Sequence, residues 1–337
     1  MIRKRIDSPH MMNANKNNSK MNGNPIDNNN NNNNAINKDV QEGKYKKQLS
    51  LKVKNILSPH AKIKSDRRSN YMYRHSSDKI DTNLLILFHG AGDSHLPFHT
   101  LAKKMELPQT ATLCIHANSM GEGFVTLPFG LGYTWFEEMN YHTNGNKLQA
   151  HDEKRISSLT KAVEKIDHLI DDIIMQEETD NNWLPERIFL FGFSAGASLV
   201  MNLCHHRVQK GKLPLGGAIC IAGGFHGITL NASLSKNDNN IESDNKQVEH
   251  TPLLLVGGEN DETYTVDMLN QDANLYKEKL NYSSSSSSVQ TFIQPAKGHD
   301  MLKHEEESKC VMQFFGDKMV RRTIAMEGFS EVSPFLG

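Results

Sequence analysis

The sequence predicts an α/β fold in which helices cover both faces of a mostly parallel central sheet. Three observations predict it. Short runs of consecutive apolar residues recur from Leu84 to Ile293, stretches with the spacing of amphipathic helices alternate with them, and glycine-rich turns follow several of the runs. Strands that are apolar throughout are typical of parallel sheets covered on both faces. Their alternation with helices indicates parallel crossovers.

Charge and composition divide the 337-residue chain into two parts. Residues 1–80 contain 17 Lys or Arg and 6 Asp or Glu, whereas the rest contains 21 and 33, so the net charge of −1 hides opposite halves. The first forty residues are rich in Asn, with an unbroken run from Asn28 to Asn34. Because so few apolar residues cannot offset chain entropy, we predict a disordered N-terminal arm over residues 1–69 and one α/β domain over residues 70–337.

A basic stretch from Lys44 to Arg74 leads into that domain. We interpret it as a solvated linker whose end, around Tyr71–Tyr73, adds a strand to the sheet. The alternative is an arm that makes weak contact with an anionic membrane surface. We do not expect nucleic acid as a partner, because no aromatic or helical periodicity organises the charges.

The cysteine content and the absence of targeting signals predict a cytoplasmic location. No C-x-x-C pair occurs, and the four cysteines are widely spaced within apolar segments, at Cys114, Cys204, Cys220 and Cys310. This pattern indicates buried thiols rather than a disulfide framework or a metal site. The basic N-terminus is not followed by an apolar signal region, and no apolar run approaches the roughly 20 residues that cross a bilayer.

Six segments of four to six residues, rich in apolar and β-branched residues, predict the main strands. They are Leu84–Phe88, Thr112–His116, Ile188–Phe191, Gly217–Ala222, Pro252–Val256 and Val289–Ile293. Glu153–Glu178 is the clearest helix, because apolar residues recur in it at three- and four-residue steps. Further helices are predicted after Ser194, at Thr263–Leu280 and at Leu302–Val320. The polar stretch Asn231–Glu249 has no periodicity and is predicted to be a mobile surface loop.

The segment Gly192-Phe-Ser-Ala-Gly196 joins a predicted strand directly to a predicted helix. A serine at the apex of such a turn adopts a crowded backbone conformation, and the flanking glycines leave room for it. His89, Asp261 and His299 likewise follow the ends of predicted strands. Because ligands bind beyond the carboxyl ends of parallel strands, we expect these side chains to converge with Ser194.

A serine hydroxyl needs a base to accept its proton and a third group to orient that base. The chain offers Ser194, then acidic residues after a later strand, then His299 after the last strand. We assign the acid to Asp261, which lies past a Gly-Gly pair, with Glu259 as the alternative.

An oxyanion requires at least two converging donors. The N–H of Ala195 directly follows the serine, and Ala91 within His89-Gly-Ala-Gly92 can supply the second N–H. The aromatic segment Gly121–Asn140 predicts an apolar substrate pocket with Phe129, Tyr133 and Trp135. We place His89 beside this pocket, in a structural rather than a catalytic role.

Five segments in this order resemble the successive motifs of the phospholipase/carboxylesterase group of α/β-hydrolases, which includes acyl-protein thioesterases. They are His89-Gly-Ala-Gly-Asp93, Thr134-Trp-Phe136, Gly192-Phe-Ser-Ala-Gly196, Gly257-Gly-Glu-Asn-Asp261 and Gly298-His299. The resemblance implies an α/β-hydrolase fold and a triad of Ser194, Asp261 and His299. It also implies an oxyanion hole from the backbone of Ala91 and Ala195, and no cofactor.

The chain departs from this group at several motif positions. Ala195 and Ala197 stand where the group has glutamine and glycine, Ala91 replaces a leucine, and Gly257 replaces a histidine. The resemblance therefore implies the catalytic machinery without implying that the substrate is a palmitoylated protein.

The resulting hypothesis is a serine hydrolase that cleaves carboxylic esters or thioesters of a small-molecule or acylated substrate through an acyl-enzyme. The alternative is a non-catalytic binding protein with the same fold. A third possibility keeps the fold and cleaves an amide or a lactone. The sequence predicts neither the acyl chain length nor the oligomeric state.

Overall fold

A computed structural model describes residues 71–117, 125–128, 132–140, 146–174, 183–225, 250–279 and 289–321. The predicted N-terminal arm, residues 1–69, and the predicted loop Asn231–Glu249 lie outside the described residues. None of the described helices is long and apolar enough to cross a bilayer.

Seven strands form the central sheet in the order β1-β3-β2-β6-β7-β8-β9. Only the edge pair β1–β3 is antiparallel, and every other pair is parallel. A separate two-stranded sheet pairs β4 with β5. The strands are β1 (Tyr71–Arg74), β2 (Asn83–Phe88), β3 (Thr110–Ile115), β4 (Val125–Thr126), β5 (Tyr133–Thr134), β6 (Ile188–Phe193), β7 (Gly217–Ile221), β8 (Leu253–Gly258) and β9 (Val289–Gln294).

The register of the parallel strands brings their carboxyl ends to one edge of the sheet. Phe88 at the end of β2 lies opposite Gly192 in β6, and Gly258 at the end of β8 lies opposite Gln294 in β9. The segments that follow β2, β6, β8 and β9 therefore leave the sheet side by side. These are the segments that carry the predicted site residues.

In the part of the chain that the structure describes, five α-helices pack around the sheet: α1 (His95–Met105), α2 (Glu153–Ile174), α3 (Ala195–Gln209), α4 (Val266–Lys279) and α5 (Glu305–Lys318). On one face, Phe98 of α1 and Phe314 of α5 pack against strand residues such as Phe189. On the other face, α3 contacts β6, β7 and α2, while Leu269 of α4 lies against Gly257. Because alternate strand residues point to opposite faces, both faces of these strands are apolar and buried. The predicted mostly parallel sheet with helices on both faces is confirmed.

Two helices begin later in the chain than their apolar periodicity predicts. Helix α4 was expected from Thr263 but begins at Val266, because the backbone N–H groups of Thr263 and Tyr264 donate to the carboxylate of Asp261. Helix α5 was expected from Leu302 but begins at Glu305, after the cap residue His304. In both cases a carboxylate, of Asp261 or of Glu307, accepts from backbone N–H groups just before the first turn of the helix.

Strand β1 confirms that the basic stretch ends by adding a strand to the sheet. Tyr71 lies opposite Ile115, and Arg74 lies opposite Thr112. The strand has only four residues, all partly exposed. A short edge strand of this kind limits the backbone available for pairing with another chain.

A network of buried charges joins α2 to α3. Arg207 Nη1 lies 2.5 Å from Asp167 Oδ1 and 3.0 Å from Asp171 Oδ1, and Lys212 Nζ lies 2.5 Å from an oxygen of each carboxylate. Burial alone would raise the pKa of Asp167, but hydrogen bonds with His206 and Lys212 and the charges of Arg207 and Lys212 hold it well below its usual range. The network therefore stabilises the folded state only while Asp167 is ionised.

We expect Asp167→Asn to lower the free energy of unfolding at pH 7 by about 2 kcal/mol, because it leaves the buried Arg207 guanidinium with one of its two carboxylate partners, Asp171. The folded-state pKa of Asp167 is depressed, so its contribution is complete above the unfolded-state value of about 4 and is lost as the pH falls further. The difference between wild type and variant should therefore shrink below about pH 4. Urea unfolding at pH 7, 5 and 3.5 measures it, and a difference that is constant with pH would contradict this account.

Candidate active site

Ser194 stands at the turn between β6 and α3 in a conformation that few residues other than glycine adopt, with φ 52° and ψ −118°. Its backbone N–H donates to Ile221 O at 2.9 Å. A Cβ at Gly192 would lie 2.4 Å from Gly196 O, and one at Gly196 would lie 2.4 Å from Phe88 O. The turn therefore closes only with glycine on both sides of the serine, and it holds the Ser194 hydroxyl at the carboxyl edge of the sheet.

His299 connects the serine to an acid. Its Nε2 lies 2.9 Å from Ser194 Oγ, and its Nδ1 lies 2.8 Å from Asp261 Oδ2 and 3.1 Å from Asp261 Oδ1. The ring of Phe193 packs beside the imidazole, with the ring centroids 5.5 Å apart. Three side chains that are up to 105 residues apart in the chain thus form one hydrogen-bonded row.

Asp261 is held in place by its own turn. Its Oδ1 accepts from the N–H groups of Thr263 and Tyr264, each at 2.8 Å, and its side chain is fully buried. Glu259, the alternative acid, is exposed, and its Oε2 accepts from Ala296 N at 3.0 Å. Of these two acids, Asp261 is the one that contacts His299, while Glu259 joins the turn after β8 to the turn after β9.

The N–H groups of Ala91 and Ala195 make no hydrogen bond to any residue that the structure describes. Ala195 is the first residue of α3, where backbone N–H groups lack partners within the helix. Gly90 lies against Ser194, since a Cβ at Gly90 would be 3.4 Å from Ser194 Cβ. Within the described residues, both amides are therefore available as donors: one directly follows Ser194, and the other directly follows Gly90.

His89 fixes the direction of one of these amides. Ala117 N donates to His89 Nε2 at 3.0 Å, which leaves Nδ1 to carry the proton and donate to Gly90 O at 2.7 Å. Burial lowers the pKa of His89 to about 3, so the ring is neutral. In a planar trans peptide the C=O and the next N–H point in opposite directions. By holding Gly90 O, His89 turns the N–H of Ala91 away from its own ring.

The structure gives structural hydrogen bonds to the side chains of His89 and Trp135, which we predict to lie at the substrate pocket. Both are fully buried, and Trp135 Nε1 donates to His89 O at 2.7 Å while its ring lies 5.0 Å from the His89 ring. The indole and the imidazole support the Ala91 loop because their polar nitrogens need buried partners.

Tyr133 is partly exposed, and its carbonyl accepts from Gly92 N at 3.0 Å. Phe129 lies outside the described residues.

Sequence reasoning missed four residues that support the three side chains of the row through packing or backbone hydrogen bonds. Phe193, Thr263, Tyr264 and Ile221 act through ring packing or through backbone groups, which leave no residue-type signal in a sequence. Within the described part of the chain, no group of three or more His, Cys, Asp or Glu side chains is placed to hold a metal ion.

The sheet order, the strained serine turn and the three-residue row define the α/β-hydrolase class. The profile of the Phospholipase/Carboxylesterase family matches residues 72–305, and the chain belongs to that family of hydrolases. The match covers all five motif segments that carry the resemblance in the sequence.

The sequence identity to individual known proteins is low. The chain is 29% identical over 159 residues to uncharacterized hydrolase UM10204 of Mycosarcoma maydis, an alignment that covers 47% of this chain and 55% of that protein. The chain spans about half the length of the curated relatives it matches.

Two crystal structures share the fold. Esterase PE8 has a TM-score of 0.53 at 18% identity, covering 74% of this chain and 98% of its own. Acyl-protein thioesterase 2 of Zea mays has a TM-score of 0.51 at 14% identity, covering 74% and 99%. At such identities the similarity establishes the fold.

We expect Gly196→Ala to lower the free energy of unfolding by about 2–3 kcal/mol, because its new methyl group would meet the backbone carbonyls of Phe88 and His89. Gly316→Ala in α5 is the matched control, since a Cβ there meets nothing within 4 Å and alanine favours a helix. Chemical denaturation of both variants measures the difference. Equal stability of the two would show that the serine turn does not need the close backbone contact.

Proposed function

We propose that this chain is a serine hydrolase that cleaves carboxylic esters or thioesters through an acyl-enzyme. The observation that carries the proposal is the row Ser194 Oγ–His299 Nε2–His299 Nδ1–Asp261, with 2.9 Å and 2.8 Å between the heavy atoms. Both distances allow direct hydrogen bonding, so His299 can accept the serine proton while Asp261 holds the other ring nitrogen.

In the acylation step, Ser194 Oγ attacks the acyl carbon and its proton passes to His299 Nε2. The carboxylate of Asp261 stabilises the imidazolium that forms. The carbonyl oxygen becomes an oxyanion, and the N–H groups of Ala91 and Ala195 donate to it. The C–O or C–S bond then breaks, and His299 returns its proton to the leaving alkoxide or thiolate.

In the deacylation step, water takes the place of the leaving group. His299 removes one proton from the water as its oxygen attacks the acyl carbon, and the same two amides bind the second oxyanion. The bond to Ser194 Oγ breaks, His299 returns the proton to the serine, and a carboxylic acid leaves. The two steps sum to hydrolysis, and the proposed mechanism needs no cofactor.

The choice between an ester and a thioester concerns only the leaving group, and both bonds suit this chemistry. One structure that shares the fold is an esterase and another is an acyl-protein thioesterase. The partly exposed ring of Tyr133 would contribute to an apolar pocket for the acyl or alcohol part, together with Phe129. A panel of p-nitrophenyl esters and acyl thioesters of increasing chain length would define the preference.

We expect a fluorophosphonate probe to label the wild-type protein and Ser194→Ala to lose both labelling and ester hydrolysis, because the probe reacts only with an activated serine. Gel fluorescence and p-nitrophenyl ester turnover measure the two effects. Ser198→Ala serves as the control, since its hydroxyl is buried within α3. Labelling that survives in Ser194→Ala would refute the assignment, and a folded wild type without turnover on either panel would favour the non-catalytic alternative.

We expect Asp261→Asn to reduce kcat by about 10³–10⁴-fold, because an amide favours the wrong tautomer of His299 and stabilises its charged form poorly. Glu259→Gln should reduce it less than about tenfold, because an amide oxygen can still accept from Ala296 N. Steady-state hydrolysis of a single ester compares the two variants. The reverse order of effects would assign the acid to Glu259.

A further inference from the structure

A buried ion pair lies next to the turn that carries His299. Lys297 Nζ bonds with Glu307 Oε2, and the side chains are 1% and 0% exposed. The lysine is two residues before the histidine, and the glutamate lies in the first turn of α5. Neither residue touches Ser194 or Asp261 in the contacts that the structure describes, so the pair would influence the proposed chemistry only through other groups.

The carboxylate of Glu307 also accepts two backbone hydrogen bonds. Its Oε1 accepts from the backbone N–H of His304 at 2.8 Å and from that of Lys303. The bond from His304 N belongs to the capping box of α5. Two backbone groups therefore hold one oxygen of the carboxylate, and the positive end of a helix dipole stabilises its charge. A fixed anion of this kind provides Lys297 with an immobile partner.

The backbone of Lys297 binds the turn that carries Asp261. Lys297 O accepts from Asn260 N at 2.8 Å, and it lies so close to Gly258 that a Cβ there would be 2.2 Å away. Lys297 thus joins the turn after β9 to two other segments, the turn after β8 and the start of α5.

The side chain of Lys297 is also the only buried one in residues 295–300, all of which the structure describes. Pro295 and Ala296 are exposed, and residues 298–300 are half-buried. Lys297 therefore anchors the histidine turn on its amino-terminal side, while Met301 and Leu302, directly beyond the turn, are partly buried and pack against the core. An ion pair with a fixed partner sets the direction and length of the contact, which an apolar contact does not.

The stability of the fold does not by itself explain why a lysine and a glutamate occupy positions 297 and 307. Moving two charges out of water is costly, and an apolar pair of the same volume is often as stable or more stable. A directional bond instead sets the position of the turn, and a displacement of about 1 Å in a reacting group can cost about a hundredfold in rate.

We propose that Lys297, held by Glu307, is a positioning residue that places the His299 imidazole between Ser194 and Asp261. The proposal rests on the function proposed above. It adds that the Lys297–Glu307 ion pair, which lies outside the Ser194–His299–Asp261 row, is needed to position His299. Loss of the ion pair lets the histidine turn move relative to the fixed Asp261 turn and weakens both hydrogen bonds of the imidazole.

The first test is Lys297→Met, which keeps the volume of the side chain and removes the charge. We expect kcat for a p-nitrophenyl ester to fall about 10- to 100-fold with KM changed less than about threefold, because the apolar pocket is untouched. The downfield ¹H NMR resonance of the proton between His299 Nδ1 and Asp261 should broaden or disappear. The melting temperature should fall by roughly 10 °C, because Glu307 remains buried without a partner.

Two matched variants separate position from stability. Arg207→Met breaks a second buried ion pair, between α3 and Asp167, and should lower the melting temperature comparably without changing kcat or the proton resonance. Lys309→Met breaks an exposed pair with Glu305 on α5 and should change none of the three measurements.

A double variant keeps the test decisive if Lys297→Met does not fold. Lys297→Met combined with Glu307→Gln removes both charges and keeps an oxygen that can accept at the helix cap, so most of the stability should return while kcat stays at least tenfold low. Glu307→Gln alone retains the cap and should show the same loss of kcat. Recovery of wild-type kcat in the double variant would overturn the proposal and make the pair merely structural.

The outcomes distinguish this proposal from the function on which it rests. A folded wild type without turnover or fluorophosphonate labelling defeats the proposed function. An active wild type whose Lys297→Met and Glu307→Gln variants keep kcat and the His299 proton resonance defeats the positioning role alone. An active wild type whose variants lose kcat and the resonance, while Arg207→Met keeps both, supports it.

Discussion

The site depends on the close approach of backbone segments at the carboxyl edge of the sheet. Ser194 keeps its positive-φ conformation because β2 and the end of β7 crowd its turn, through Gly196 against Phe88 O and Ser194 N against Ile221 O. Strain of this kind persists only where the surroundings over-determine it. The parallel register supplies those surroundings, since it aligns the ends of neighbouring strands. Without that alignment the serine would relax away from His299.

Backbone groups and buried polar side chains carry the remaining constraints. Two N–H groups of its own turn hold Asp261, and a neutral His89 orients the Gly90 peptide so that the N–H of Ala91 points away from the His89 ring. These groups are held by hydrogen bonds within the protein. Preorganised dipoles stabilise developing charge without reorganising, which is the main electrostatic advantage of a hydrolase site over water. This preorganisation is the physical basis of the proposed function.

Sequence patterns predicted much of this architecture because each depends on local chemistry. Apolar runs gave the six main strands to within two residues at either end, and the glycines around Ser194 indicated the strained turn. The starts of α4 and α5 were missed, since the carboxylates of Asp261 and Glu307 capture N–H groups that periodicity assigns to a helix. The full burial of Trp135 and His89 was not predicted, because a sequence does not reveal whether an aromatic side chain faces solvent or the interior.

The sequence by itself determined the order of strands and helices, the family motifs and the candidate residues of the site, because residue type and spacing encode them. Only the tertiary structure decided which acid contacts His299, that the amides of Ala91 and Ala195 lack partners among the described residues, and that Lys297 is buried against Glu307. Those facts depend on distances between segments that are remote in the chain. Such distances are fixed by strand register and packing, and no local pattern records them.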